Sequence, residues 1–412
     1  MPATSAKRRL TPFVLLEAAS VVEVTSGAML YILMPWLALN ITHSSTGSGL
    51  MIALTSVPGL LLGPILGSFV DRIGRRRVAI IATVAAAGTN LLIPVIDSTI
   101  TLNLFWLIVV GVIRNGIGSA MPTSRKSLLP DAAKVAVLSL ERANSIHEGL
   151  FSAGWALGPA IAAITITTMG AVNSFYLVSA VTLLSAIFVS LVKVKEEYDD
   201  EEREDSHWFT YAMEGFRALP KFPAVFIIFL TFVTLALIYL PTEMVILPRY
   251  YNGIKDPTGF GILVSVMAVF GTFGSLLFEQ IAKRISYVNI VRATIIGVAI
   301  AVLGMSTLPS QPIMLLFGAL IGCVWGPLPP LLNTVVQRMV PAKIRGRIFA
   351  IEITVWSAAP MISMFFVGLA VDGLGVSKTY LILGGLLTIA TIVVATSKQL
   401  QALKLAQPAT KK

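Results

Sequence analysis

Gly67-Ser68-Phe69-Val70-Asp71-Arg72-Ile73-Gly74-Arg75-Arg76-Arg77 stands where one apolar run ends and the next begins. Five of its last seven residues are charged, in a chain whose charged fraction is only 13%. Charge is costly inside hydrocarbon, so a knot this dense between two apolar runs belongs at a membrane surface. The runs on either side are then membrane spans.

The rest of the chain repeats that pattern. Of its 412 residues 56% are hydrophobic, against roughly 45–50% for a soluble domain. The excess falls in runs of about 20 residues, the helix length that crosses ~30 Å of hydrocarbon. Spans are expected at about 13–40, 49–70, 78–96, 101–124, 143–168, 172–192, 222–248, 259–280, 288–308, 311–337, 346–370 and 376–396. The short segments of alternating polarity that a membrane barrel needs are absent. The expected fold is an all-α membrane protein of twelve transmembrane helices.

Lys and Arg set the orientation. With a cytoplasmic N-terminus, all but four of the 31 basic residues lie on or beside cytoplasmic segments, the exceptions being Arg114, Arg249, Lys255 and Lys378. This is the positive-inside distribution, and it places both termini in the cytoplasm. The formal net charge of +10 is spread over short loops, which suits topology and anionic lipid and gives no reason to expect nucleic acid. Lys7-Arg8-Arg9 precedes an apolar run too long for a secretory signal, interrupted by Glu17 and Glu23, so it reads as a retained first helix. Cys323 is the single cysteine, which leaves no disulfide framework and no cysteine pair for a metal.

Midway, Glu196 to Asp205 is a block of almost uniform negative charge, of the kind that stays solvated. Phe209, Met213, Phe216 and Leu219 follow at helical spacing, as in an interfacial amphipathic helix. Residues 195–221 therefore read as a cytoplasmic linker between a six-helix bundle at 1–194 and another at 222–412. Faint repetition relates the halves: Gly67-Ser68 corresponds to Gly274-Ser275, and Leu129-Pro130-Asp131 to Val340-Pro341-Ala342. In the second copy Phe278 stands where the first has Asp71, and only Lys283-Arg284 echoes the basic cluster. Repeated halves with a site at their interface are a transporter architecture.

The placement of Gly67, Asp71, Arg72, Gly74 and Arg75 resembles the signature loop between helices 2 and 3 of the major facilitator superfamily. Gly154-Trp155-Ala156-Leu157-Gly158-Pro159 resembles the Gly-x-x-x-Gly-Pro motif of its drug:proton antiporters, although Ile161-Ala162 replaces the trailing Gly-Gly. Simple close packing of helices through Gly154 and Gly158, with a bend at Pro159, is the other reading of that stretch. Arg125 to Asp131, Ser139 to Asn144, Leu240-Pro241-Thr242-Glu243, Gly326-Pro327 with Pro330 and Asn333, and Arg345-Gly346-Arg347 together look like the Tap-type multidrug efflux branch of actinobacteria. The resemblance covers nearly the whole chain. Its relatives carry an acid in helix 1 eight residues before Pro-Trp, where this chain has Gly27; Glu23, one turn earlier on the same face, can substitute.

The resemblance implies roles. Asp71 would act as a conformational latch, pairing with the loop arginines and with the start of helix 11 near Arg345-Gly346-Arg347. Helices 1, 4, 7 and 10 would line the cavity, bringing Glu23 and Arg114 within reach of each other. Burial favours a protonated carboxyl and a neighbouring guanidinium opposes it, so movement that separates such a pair would release or take up a proton. Glu148 is the second proton-coupling candidate. Glu141-Arg142 reads as a loop pair, Glu352 as solvated, Glu17 as snorkelling to the interface and His147 as an ordinary satisfied histidine. Tyr31, Trp36, Tyr239, Glu243, Trp325 and Trp356 are candidates for an apolar, aromatic substrate cavity, with lipid-facing packing as the alternative for the aromatics.

No Gly-x-x-x-x-Gly-Lys-Ser/Thr loop is present to cradle a nucleotide, and no catalytic or metal constellation is evident, so neither an enzyme nor a cofactor is expected. Energy would come from an ion gradient, with protons as the default. The leading expectation is a monomeric, proton-coupled exporter of amphipathic drugs, of tetracycline or aminoglycoside type by resemblance. Export of a lipid, siderophore or macrolide, proton-coupled nutrient uptake, and a non-transporting sensor remain alternatives, since a fold does not fix cargo.

Overall fold

The computed structural model describes residues 9–194, 217, 219–341, 348, 358 and 361–407, with side chains described at all of these except 60, 62–73, 120, 122, 123, 126, 127, 140, 141, 144, 145 and 337. The helices are α1 (Thr11–Thr42), α2 (Ser45–Ile73), α3 (Arg75–Thr99), α4 (Leu104–Gly118), α5 (Ala120–Ala136), α6 (Leu140–Met169), α7 (Ser174–Leu191), α8 (Pro223–Gly253), α9 (Pro257–Leu276), α10 (Phe278–Arg284), α11 (Tyr287–Ser306), α12 (Gln311–Trp325), α13 (Leu328–Met339), α14 (Met361–Leu374) and α15 (Val376–Thr396). No strand occurs among the described residues.

Among the described residues these helices fall at the twelve expected spans. Nine of the described stretches are long and apolar enough to cross a membrane. The short apolar helices α4 and α14 and the long α2 supply the others. Two spans are interrupted, α4–α5 at Ser119 and α12–α13 at Gly326-Pro327. The fourth span outruns its expected end at about 124, because the helix continues through Asp131 and Lys134 to Ala136. Charge hides that extension from a hydropathy reading. Its apolar face is nevertheless core: Leu128, Leu129, Ala132, Ala133 and Ala136 pack with Phe13 and Leu16 of α1.

Helix starts follow the local sequence. Asn103, Ser139, Asp256 and Ser286 each accept a hydrogen bond from a backbone N–H three residues on, satisfying a donor that the first turn leaves open. Gly74 alone separates α2 from α3, at φ 106°, a conformation that side chains disfavour. Inside the spans, Ser20, Thr25, Thr83, Thr231 and Thr294 donate to carbonyls one turn back, so each hydroxyl is satisfied without water. Large apolar side chains face outward along the spans, among them Ile81, Phe105, Leu316, Ile389 and Val393. Such a surface belongs in lipid.

Packing divides the chain into two units, Met1–Leu33 with Leu61–Glu204, and Met34–Leu60 with Asp205–Lys412. In the first, α3 packs on α7, α4 and α5. In the second, α9 packs on α12, and α11 on α12 and α15. The second unit also contains the end of α1 and the start of α2. There Trp36 stacks on Phe260, Asn252 donates to Asn40, and Gly49 and Gly368 let α2 and α14 touch backbone to backbone.

Small residues decide how closely the helices approach. A Cβ on Gly322 of α12 would collide with the Met267 carbonyl of α9, whereas a Cβ on Gly385 of α15 meets nothing within 4 Å. Gly322→Ala should therefore lower the thermal unfolding temperature in detergent, at an overpacking cost of about 1–3 kcal/mol. Gly385→Ala should leave it unchanged or raise it slightly through helix propensity.

Candidate functional site

The first unit holds ionic groups in its interior, and their positions follow from which helix face each occupies. Arg125, on α5, is 2% exposed at its side chain and stands 2.9 Å from Glu23 Oε2 of α1. Its guanidinium also donates to the Ala19 carbonyl at 3.2 Å, to Ser185 Oγ of α7 at 2.8 Å and to the Met121 carbonyl at 3.3 Å. Ser185 in turn donates to the Ala19 carbonyl. One side chain thus joins α1, α5 and α7 around an anion, which is the arrangement a buried guanidinium requires.

The expected Glu23–Arg114 pair is replaced by Glu23–Arg125. Arg114 folds back along α4 over Gly118, where a Cβ would stand 2.6 Å from its Nη1. From there its Nε donates to Asn90 Oδ1 of α3 at 3.2 Å. Asn90 donates to Thr182 Oγ1 of α7, and Thr182 to Ser26 Oγ of α1. Arg114 therefore anchors a chain of hydrogen bonds through four helices without touching the carboxylate.

Glu17 departs from the snorkelling expectation. It is 3% exposed, and His147 Nδ1 of α6 lies 3.1 Å from its Oε2. Spacing in the sequence gives no hint of this contact, because the two residues come from different helices. Glu148, the next residue, is exposed on α6.

Other expected residues fall as follows. Asp71 and Arg72 lie in the last turn of α2, among positions whose side chains are not described, and the segment near Arg345-Gly346-Arg347 lies outside the described residues. Arg75 pairs with Asp131 of α5 at 3.5 Å, and Arg76 donates to the Ser190 carbonyl of α7. Gly154 and Gly158 seat α6 against α1: a Cβ on Gly154 would stand 3.1 Å from the Val21 carbonyl, and one on Gly158 2.7 Å from the Thr25 carbonyl. Pro159 is buried beside them.

The described aromatic candidates fall in both units. Tyr31 meets Trp155 edge-on at 5.6 Å in the first unit. Trp36 is 4% exposed, in the core of the second. Tyr239, Glu243 and Trp325 do come together there. The Tyr239 hydroxyl donates to Glu243 Oε2 at 2.8 Å, and Trp325 lies 6.0 Å from Tyr239 and 5.9 Å from Phe232. Two wide turns of α8, with Leu240 N–H bonding Leu235 O and Leu247 N–H bonding Thr242 O, flank Pro241 and bring these groups to one side. Proline lacks the donor that a regular ladder needs, and such widened turns recur at functional sites. Trp356 lies outside the described residues.

Apolar helices long enough to cross a membrane, packed in two units around buried ionic groups, are the makings of a membrane transporter. The chain belongs to the Major Facilitator Superfamily, whose family model matches residues 18–362 and again 257–406. It is similar to the multidrug efflux pump Tap of Mycolicibacterium fortuitum, 26% identical over 90% of this chain and 92% of the relative. It is also similar to macrolide efflux protein A of Streptococcus pyogenes, 22% identical over 87% of this chain and 90% of that one. Among solved structures, a mutant of the nucleoside transporter NupG shares the fold at a TM-score of 0.79 and 12% identity, over 93% of this chain and 98% of that one.

Removing one partner of a buried ion pair costs about 3–5 kcal/mol because it strands the other charge. Arg125→Gln and Glu23→Gln should each lower the unfolding temperature of the detergent-solubilised protein. The double variant should be less destabilised than the two effects added together. Strict additivity in this cycle would mean that the contact carries no energy.

Proposed function

We propose that this chain is a proton-coupled exporter of amphipathic drugs, lying in the cell membrane with both termini in the cytoplasm and working by alternating access. The Glu23–Arg125 pair carries the reading. While Arg125 stands against it, the Glu23 carboxylate is balanced and charged. A movement that draws α5 or α7 away from α1 would leave that carboxylate in a medium of low dielectric, where a proton replaces the lost cation. Return of Arg125 would expel the proton. Arg114, Asn90, Thr182 and Ser26 tie α4, α3, α7 and α1 together, a chain that has no member on α5.

The cargo class is supported by the names of the relatives, multidrug and macrolide efflux proteins, and by the side chains available. Tyr31 with Trp155, and Tyr239 with Trp325 and Phe232, offer flat apolar faces with few fixed hydrogen bonds. Surfaces of that kind accept many ligands. Glu243 adds one charge beside the second group.

The test is proton movement driven by tetracycline in liposomes holding the purified protein. Wild type should show drug-dependent proton flux, and Glu23→Gln should lose it while still binding drug. Equal flux in both proteins would remove Glu23 from the coupling step. Absence of drug-dependent flux in wild type, repeated with a macrolide and an aminoglycoside, would overturn the drug-antiport reading.

A further inference from the structure

At the turn between α1 and α2, a single carboxylate holds the start of a helix. Asp372, at the end of α14, accepts from the Ser44 hydroxyl at 2.5 Å, the Ser45 N–H at 2.8 Å, and the Thr46 N–H and hydroxyl at 2.9 and 2.8 Å. Ser44, Ser45 and Thr46 open α2, so a residue some 330 positions away serves as its cap. Burial alone would raise the Asp372 pKa, but these hydrogen bonds outweigh it and hold the group down at about 2. The contact is therefore present above that pH and is lost only as pH falls towards it. His43, just before the turn, and Lys378, in the first turn of α15, are the ionisable groups nearest in sequence to Ser44 and Asp372.

The seam behind this carboxylate is tight. A Cβ on Gly49 would collide with the Met364 carbonyl, and one on Gly368 with the Ser45 carbonyl. Between them Ser45 and Ser48 are fully buried, and neither hydroxyl has a hydrogen-bond partner. A polar group buried without a partner favours the state in which water reaches it. The seam thus combines a strong rim contact with an interior that gains by being wetted.

Chain connectivity gives the seam a use. Residues 34–60 pack with the second unit, yet α1 and α2 run on unbroken into the first. The changes of unit fall next to Pro35 on α1 and Pro58-Gly59 on α2, where a helix loses a backbone bond.

We infer that Asp372 is a latch: its cap on α2 holds this seam shut, and release of that cap opens the seam during each transport cycle. The inference rests on the alternating-access reading, and it concerns the outer face in the topology proposed above. Ordinary external acidity leaves the latch closed, so movement of the units and not outside pH releases it.

Its first test needs no cargo. In a Cys323→Ser background, Ser48→Cys reports on the seam, and Ser179→Cys, buried in α7 of the first unit, reports on global unfolding. With a membrane-impermeant maleimide and purified protein, both should label slowly. Asp372→Ala should speed labelling at Ser48→Cys by roughly three- to tenfold, as expected for loss of partly exposed charge-assisted hydrogen bonds, and leave Ser179→Cys unchanged. An unchanged rate at Ser48→Cys would overturn the latch. If both reporters accelerate, the variant has unfolded and Asp372→Asn takes its place, judged by the same criterion. A Ser44→Cys/Asp372→Cys pair closed by a short bis-thiosulfonate linker should then stop tetracycline transport and recover it on reduction. Undiminished transport by the linked protein would show that the outer ends of α1 and α2 stay on the second unit and bend at their prolines, which also overturns the inference. Failure of transport before linking is a failure of the drug reading, and the labelling result stands apart from it.

Discussion

A guanidinium inside a helical membrane protein must find an anion and enough acceptors within its own reach, because no water will supply them. Arg125 meets that demand with Glu23, two backbone carbonyls and Ser185, and in doing so it fixes α1, α5 and α7 against one another. The arrangement balances the charge but leaves Arg125 Nη2 without a hydrogen bond. On the proposed reading, a displacement of those helices would unbalance that carboxylate, and a proton would replace the lost cation. Structure and proposed coupling are thus two consequences of one constraint.

The rest of the molecule divides its contacts by chemistry. Side chains such as Asn90, Thr182 and Ser26 carry hydrogen bonds across the interior of the first unit, where removal of one member leaves another unsatisfied. The second unit relies more on small residues that bring helices into backbone contact, as at Gly322 and Gly49. The contacts around Asp372 are of a third kind, charged at a solvated rim and unsatisfied within. A contact that must break repeatedly is better made of groups that water can replace than of interlocked apolar side chains.

Most of the fold was legible because run length reports directly on membrane crossing. The extension of the fourth span through α5 was not, since Asp131 and Lys134 make its sequence look like loop. In the site, Glu23 could be singled out as an acid inside a span, but its partner could not. Arg114 and Arg125 are eleven residues apart, about three turns of helix, so they share a face and either could oppose α1. Depth and the path around Gly118 decide between them, and both are properties of packing. Glu17 was misplaced for a related reason: its distance from the start of α1 suggested an interface, whereas α6 covers it and brings His147 to it. Tyr239 and Glu243 are four apart, as neighbours on a helix are, and their contact was within reach of sequence reasoning. The unpairing of the ladder around Pro241 that turns them towards Trp325 was not.

The central claim is that Glu23 changes protonation when its ion pair is disturbed. Infrared difference spectroscopy on the purified protein, recorded on adding tetracycline, observes a carboxyl group directly. The account predicts a protonated-carboxyl band that changes on drug addition in wild type and is missing in Glu23→Gln. A band that persists unaltered in Glu23→Gln would assign the proton to another acid and contradict it.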